Sequence, residues 1–189
     1  MTIPALRRLW LAGRGFFRLG RKRLDLRARI FLGYPHVVER LQIHPDFDLF
    51  PNPFEQLAEF VRRLVVNILI GNGDAHLKNW SVIYKDKITP QLAPAYDLVS
   101  TIPYVANDTL ALKLAGERRF TSIDETHFDR LARRMEAPPK FVLNTVKETV
   151  ATARNEWPRI VLETGLPEDM RDRLFRYWSE LSGLLRITQ

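Results

Sequence analysis

Cysteine is absent from this chain of 189 residues. Its absence excludes a disulfide framework, a zinc site built on thiolates and a cysteine nucleophile. It also suits a reducing compartment, so we expect a cytoplasmic protein. Long apolar runs are missing too, since none approaches the ~20 residues that a membrane-spanning helix needs. The four histidines are too widely spaced to form an HExxH-type pair of metal ligands.

Acidic residues are scarce at the N-terminus. Residues 1–30 contain nine arginines or lysines and a single acid, although the whole chain has 29 basic and 22 acidic residues. The other residues therefore hold 20 basic and 21 acidic side chains, and the net charge of +7 belongs to the N-terminal segment. A basic arm at 1–33 can bind nucleic acid, act as a targeting peptide or remain solvated. Its glycines favour a poorly ordered or irregular arm.

The residues from 34 to 189 are predicted to form a mostly helical domain. The strongest pattern is at 53–70, where apolar residues recur at helical spacing and indicate a buried helix. Asn52 can cap this helix, Pro53 suits its first position and Gly71 ends it. Further helices are predicted at 34–44, 123–136, 140–157 and 167–185.

Two details refine this helical pattern. A capping box of Ser122 and Glu125 is predicted to begin the helix at 123–136. A small β-hairpin is predicted from residues 80–84, which are rich in β-forming residues, and residues 88–94, which can pair back after a turn. The alternating leucines of 108–114 predict a further strand. The expected fold is therefore mostly α, with a small amount of β-structure.

Three side chains with oxygen donors flank the predicted hairpin: Asp74, Asn79 and Asp97. Carboxylate and amide oxygens suit Mg²⁺, and kinases combine an Asp-x-x-x-x-Asn loop with a later metal-holding aspartate. His76 and Lys78 add donors for a phosphate within the same stretch, GNGDAHLKNW. Aspartate and asparagine are also common in loops because they cap helices and form turns, so the spacing alone leaves a structural role open.

The stretch LVVNILIGNGDAHLKNWSVIY, followed by LAPAYDLVSTIPY, resembles the C-terminal kinase lobe of the HipA family. The segment NDTLALKLAGERRFTSIDETHFDRLARRM continues the resemblance, which runs from about residue 34 to the last helix. HipA-like proteins are serine/threonine kinases of bacterial toxin–antitoxin modules. The resemblance therefore implies that residues 34–189 form the helical C-lobe of a protein-kinase-like fold, with the hairpin at its active edge.

The resemblance also implies roles for the residues that match the motif. Asp74 would be the catalytic residue that accepts the proton of a serine or threonine hydroxyl. Asn79 and Asp97 would hold Mg²⁺ against the phosphates of ATP. The buried helix before this loop would be its rigid support, because a displacement of ~1 Å at a reacting centre can cost on the order of a hundredfold in rate.

Three further residues would contact the nucleotide. His76 and Lys78 would lie on the catalytic loop beside the phosphates, although loop residues that merely cap a helix end would look the same. Tyr96 would lie next to the nucleotide, although a core aromatic residue would also fit there.

The upstream half of a HipA-like active site has no counterpart in this sequence. Family members carry a glycine-rich phosphate loop, a nucleotide-binding lysine and a regulatory serine before the matched region. Only about 33 residues precede that region here, and the glycines of AGRGFFRLG at 12–20 are too few and too isolated to indicate a phosphate loop. We therefore expect a truncated or split protein that lacks its N-lobe.

Two classes of function follow. The chain is either an ATP- and Mg²⁺-dependent kinase that a separate N-lobe polypeptide completes in trans, or a catalytically silent remnant that binds a HipB-like helix-turn-helix antitoxin or a target protein. A third possibility is that the basic arm holds DNA. HipA-like kinases are associated with aminoacyl-tRNA synthetases as substrates, but nothing in the sequence selects one. Apolar surface that would face an N-lobe is expected to make the chain associate.

Overall fold

The predicted buried helix is present as α1 (Pro53–Ile70) in a computed structural model that describes residues 50–84, 86 and 88–188. Asn52 precedes it as expected, but its amide donates to Glu55 at 3.1 Å and does not cap the helix. Gly71 ends α1 in the left-handed conformation, at φ 63°. A Cβ atom there would lie 2.1 Å from the side chain of Ile102, so both the backbone angle and the close packing require glycine.

The predicted hairpin is confirmed, with shorter strands. The strands β1 (Val82–Tyr84) and β2 (Pro90–Leu92) pair antiparallel, with Val82 opposite Leu92. In the turn between them, the Asp86 carboxylate accepts hydrogen bonds from the side chain and amide of Thr89 and from the amide of Ile88. These bonds lower the pKa of Asp86 to about 2, because they favour the charged form.

The strand predicted at 108–114 is wrong. The backbone there forms only one isolated bridge, between Leu114 and Glu117, and then reverses through Ala115 and Gly116, which both have positive φ. Leu114 is nevertheless buried, as the pattern suggested. Of the three alternating leucines, Leu110 and Leu114 are buried and Leu112 is only partly so, and no neighbouring strand among the described residues pairs with this segment.

Three helices, α2 (Glu125–Arg134), α3 (Pro139–Glu163) and α4 (Glu168–Glu180), follow. The capping box of α2 was assigned to the wrong residues: the cap is Asp124, which accepts from the Thr126 amide, and His127 completes the box. Ser122 instead ends a 3₁₀ turn, which delays the helix start by two residues.

The last two helices differ from their predicted bounds. α3 extends to Glu163 and contains Pro158, whereas its end was predicted at 157. α4 ends at Glu180, and the chain after it turns back toward α3. Arg154 of α3 holds this turn by donating to three carbonyl oxygens, those of Gly183, Leu184 and Arg186. A long-range arginine contact of this kind leaves no periodic pattern in the sequence.

The hydrophobic core lies between the helices. α1 and α2 pack on α3, and α3 also contacts α4. Each helix contributes at least one residue that is at most 2 % exposed, for example Val61, Phe128, Val146 and Trp178. The described residues are about half helical and contain one two-stranded sheet, and within them no helix is long and apolar enough to cross a membrane. The predicted arm at 1–33 and helix at 34–44 lie outside the described residues and stay predictions.

Candidate functional site

The loop that carries the predicted site begins at a firmly held helix end. The final carbonyl groups of a helix lack partners within the helix and need donors from elsewhere. At the end of α1, the Tyr177 hydroxyl donates to the Ile68 carbonyl, and the Trp178 indole donates to the Leu69 carbonyl at 2.7 Å. Burial, with a smaller effect from the Asp108 carboxylate, raises the pKa of Tyr177 well above its usual value, so it remains a neutral donor. Both aromatic donors come from α4.

Asn72 connects the two halves of the site. Asn72 is completely buried. Its Oδ1 accepts from the backbone amide of Asp74 at 3.0 Å, and its Nδ2 donates to Asn67 Oδ1 at 2.8 Å and to the carbonyl oxygen of Asp97 at 3.2 Å. One buried carboxamide therefore joins the backbones of Asp74 and Asp97, which are 23 positions apart in the chain.

Gly73 lies against a second polar cluster. Its amide donates to Thr101 Oγ1 at 2.8 Å, and that hydroxyl contacts the Asp108 carboxylate. A Cβ atom on residue 73 would lie 2.0 Å from Asp108 Oδ2, so only glycine fits here without movement. The Thr101 amide in turn donates to the Gly71 carbonyl at 3.1 Å. The segment after Asp97 therefore packs directly on the loop.

The structure brings Asn79 and Asp97 together. Asn79 Nδ2 donates to Asp97 Oδ2 at 2.6 Å, although the two residues are 18 positions apart. Asn79 lies in a 3₁₀ turn, Leu77–Asn79, and Asp97 has a left-handed backbone with φ 60°. Asn79 Oδ1 is buried and has no hydrogen-bond partner among the described residues. It is therefore an acceptor oxygen held in place with its bonding capacity unused.

This pair fits the chemistry of Mg²⁺. Mg²⁺ commonly binds to one or two carboxylates and fills its other positions with water and phosphate oxygens. Asp97 supplies a carboxylate and Asn79 an amide oxygen without a hydrogen-bond partner among the residues described, but Asn79 faces Asp97 through Nδ2, so its amide must turn over for both residues to share one ion. No group of three histidine, aspartate or glutamate side chains with metal-binding geometry occurs within the described part of the chain. The residues thus fit a cation shared with phosphates better than a cation enclosed by protein.

Asp74 presents its carboxylate to solvent. Its side chain is 66 % exposed, and its Oδ1 lies 3.8 Å from His76 Nε2. Its backbone is fixed, because its amide is bonded to Asn72 and its carbonyl accepts from the His76 amide at 2.7 Å. An exposed carboxylate on a fixed backbone is accessible to a molecule that approaches from solvent.

The remaining predicted residues lie close to the pair. The Tyr96 hydroxyl donates to the backbone carbonyl of Lys78, and Tyr96 is 43 % exposed, so the alternative of a core aromatic is wrong. Tyr96 and Asn79 line a shallow pocket together with Arg63 and Leu98. His76 Nδ1 is buried and lacks a hydrogen-bond partner in the part of the chain that the structure describes.

Sequence reasoning missed three residues of this arrangement: Asn72, Thr101 and Asp108. For Asn72 a signal was present, because the asparagine stands between two glycines directly after a buried helix. For Thr101 and Asp108 the surrounding sequence carries no periodic pattern that points to them. Their contact with Gly73 depends on the path of the chain after Asp97.

Together, the described residues form a half-helical fold whose loop and hairpin carry an amide, two carboxylates and a lysine. Comparison with known families identifies this domain. Residues 28–157 match the HipA-like C-terminal domain, and the chain belongs to that family. The resemblance inferred from the motif is thereby confirmed.

Two curated relatives are both named as kinases. A Sinorhizobium fredii protein named "Putative kinase Y4dM" is 49 % identical over 102 residues, which cover 53 % of this chain and 25 % of the relative. A Haemophilus influenzae protein named "Putative kinase" is 37 % identical over 82 residues, which cover 42 % of this chain and 22 % of the relative. The chain thus spans about a quarter of the length of these relatives.

A solved structure has the same fold. HipA in the Shewanella oneidensis complex of HipA, HipB and operator DNA superposes with a TM-score of 0.58 at 24 % identity, over 74 % of this chain and 33 % of that one. The described residues therefore have a HipA-like fold, half helical with a small antiparallel sheet.

Proposed function

We propose that this chain forms the C-terminal lobe of a HipA-like serine/threonine kinase and contributes to phosphoryl transfer from ATP, with Mg²⁺, to a protein hydroxyl. The observation that carries the proposal is the Asn79–Asp97 pair, in which a 2.6 Å hydrogen bond fixes the carboxylate and leaves the amide oxygen without a partner. The family and the two relatives named as kinases support it.

Each side chain has a role in this proposal. Asn79 and Asp97 hold the cation, which supplies positive charge to the phosphate oxygens when it is bound. Asp74 orients the acceptor hydroxyl and takes its proton, since its carboxylate is exposed on a fixed loop. His76, Lys78 and Tyr96 lie on the nucleotide side. Lys78 provides a positive charge near the phosphates, and Tyr96 holds the Lys78 backbone through its hydroxyl.

The nucleotide-binding elements of the other lobe come from elsewhere in this proposal. A kinase binds ATP between two lobes, and the glycine-rich loop and nucleotide lysine belong to the N-lobe. A separate N-lobe polypeptide would supply them in trans. The target is a serine or threonine of a protein, and an aminoacyl-tRNA synthetase is the class to test first because of the family resemblance.

Calorimetry with Mg²⁺ and ATP tests the proposal, on the chain alone and with an N-lobe polypeptide. We expect binding by the wild type, loss of binding in Asp97→Ala, and binding without phosphoryl transfer in Asp74→Asn. Asp172→Asn is a matched control, because Asp172 is an exposed aspartate on α4. If no heat of binding is measured for the chain alone or with the N-lobe polypeptide, the proposed role in phosphoryl transfer is ruled out.

A second function is favoured by a different observation. Four large apolar side chains in the segment that follows Asp97 in the chain are exposed, each by at least 43 %: Leu98, Val99, Tyr104 and Val105. We call these four the apolar patch. A patch of this kind on a folded domain indicates a surface that another protein covers. The alternative is therefore a silent binding module for a HipB-like antitoxin or a target protein, and it predicts partner binding that Asp74→Asn and Asp97→Ala leave unchanged.

A further inference from the structure

Asn72 makes three side-chain hydrogen bonds within the site, although it has no assigned role. It is completely buried, and its carboxamide bonds to the amide of Asp74, the side chain of Asn67 and the carbonyl of Asp97. Burying a carboxamide is unfavourable unless its polar atoms find partners, so an apolar residue would serve better if only packing mattered. The three bonds indicate that this amide has a specific task.

The backbone of Asp97 shows what that task is. Its left-handed conformation, at φ 60°, is less favourable for aspartate than for glycine, although aspartate and asparagine adopt it more readily than other residues, and hydrogen bonds from the surroundings help to hold it. Asn72 donates to the Asp97 carbonyl at 3.2 Å, while the Asp97 carboxylate accepts from Asn79 at 2.6 Å. The bond from Asn72 fixes the backbone of Asp97. The Asp97 side chain then points toward Asn79, and the second bond joins the two side chains.

We propose that Asn72 is the positioning residue of this site: its buried carboxamide sets the spacing between the Asp74 loop and Asp97 and keeps Asp97 turned toward Asn79. The effect of Asn72 on cation binding rests on the proposed phosphoryl-transfer function. Its hydrogen bonds to the backbones of Asp74 and Asp97 can be tested without a bound cation. Asn72 touches neither ATP nor the cation and acts through the backbones of Asp74 and Asp97.

Side-chain amide exchange measures the structural content directly. Nitrogen-15 NMR resolves the NH₂ groups of asparagine, and hydrogen-bonded amide protons exchange slowly with water. In the wild type without metal, we expect the Asn72 amide protons to exchange at least about tenfold more slowly than those of Asn107, which is exposed. In Asn72→Ala, we expect faster exchange at the Asn79 side chain, because Asp97 no longer faces it.

Mn²⁺ serves as the probe of the cation site. Loss of a residue that orients a metal ligand typically weakens metal affinity 10–100-fold. We expect Asn72→Ala to weaken Mn²⁺ binding by about that factor. Asp97→Ala should abolish this binding, which identifies the site being measured. Asn72→Asp keeps the acceptor for the Asp74 amide and loses both donors, so it should also weaken Mn²⁺ binding. Thr145→Val is the control, because it removes a buried hydroxyl bonded to the Phe141 carbonyl within α3.

The outcomes separate this inference from the proposed function. If the wild type binds no Mn²⁺ at Asp97 even with ATP and the N-lobe polypeptide present, the proposed function fails, while amide exchange still decides the role of Asn72. If Mn²⁺ binds to the wild type, and the Asn72 variants bind it as tightly as Thr145→Val does, the positioning role is overturned. If Asn72→Ala does not fold, Asn72→Asp and the wild-type exchange decide, and rapid exchange at Asn72 contradicts the proposal.

Discussion

The aromatic donors of α4 allow a prediction in which substitutions at two adjacent residues lower the free energy of unfolding by different amounts. Trp178→Phe removes the indole N–H that bonds to the Leu69 carbonyl at 2.7 Å. No other hydrogen bond to this carbonyl is found among the described residues. A buried polar group left without its partner costs about 1–3 kcal/mol, and the smaller ring adds a loss of packing.

Tyr177→Phe should cost less. The Ile68 carbonyl that accepts from Tyr177 also accepts from the Gly71 amide at 3.0 Å, so it keeps one partner when the hydroxyl is removed. The expected loss is that of an ordinary intramolecular hydrogen bond, about 0.5–1.5 kcal/mol. The phenyl ring stays in contact with Phe120, whose ring centre is 5.8 Å away.

Urea unfolding followed by far-ultraviolet circular dichroism measures both changes without depending on tryptophan fluorescence. Trp157→Phe is the control for ring size, because Trp157 packs against Trp178 with ring centres 6.1 Å apart. The reasoning is refuted if Tyr177→Phe destabilises as much as Trp178→Phe, or if Trp178→Phe costs no more than Trp157→Phe. Hydrogen exchange of the loop amides at 71–79 should rise most in Trp178→Phe.

Three further predictions concern other parts of the molecule. Gly73→Ala should lower the free energy of unfolding by about 1–3 kcal/mol, because its Cβ would overlap a carboxylate, whereas Gly183→Ala faces open space and should be close to neutral. Asp124→Ala should cost about 0.5–2 kcal/mol at pH 7, through loss of the α2 cap, and little at pH 2. Replacing Leu98 and Val99 of the apolar patch with serine should reduce self-association of the chain, measured by light scattering at high concentration.

The pH dependence at Asp124 has a definite sign. Hydrogen bonds from Thr126 and His127 lower its pKa from 3.8 to about 2 in the folded protein. The folded state therefore binds this proton less readily than the unfolded chain does, and the stabilisation is complete above about pH 4 and disappears as the pH falls through about 2. A difference between wild type and Asp124→Ala that stays constant from pH 7 to pH 2 would contradict this account. The prediction for the apolar patch would be contradicted if the wild type were monomeric at high concentration.

Local features of the chain accounted for most of the elements. The end of α1 at Gly71 and the hairpin at 82–92 follow from short-range patterns, since helical periodicity, a left-handed glycine and β-forming residues act over a few positions. The false strand at 108–114 shows the limit of such patterns. Alternating leucines do not form a strand without a neighbouring strand to pair with, and the backbone reverses at Gly116 instead.

By itself the sequence determined the family, the helix that supports the loop and the positions of Asp74, Asn79 and Asp97, because these depend on residue identity and on short spacing. Only the tertiary structure decided that Asn79 and Asp97 meet, that Asn72 joins the two halves and that α4 holds the end of α1 from 109 positions away. Hydrogen bonds between distant segments depend on how the helices pack, and packing is a property of the whole core rather than of any stretch of it.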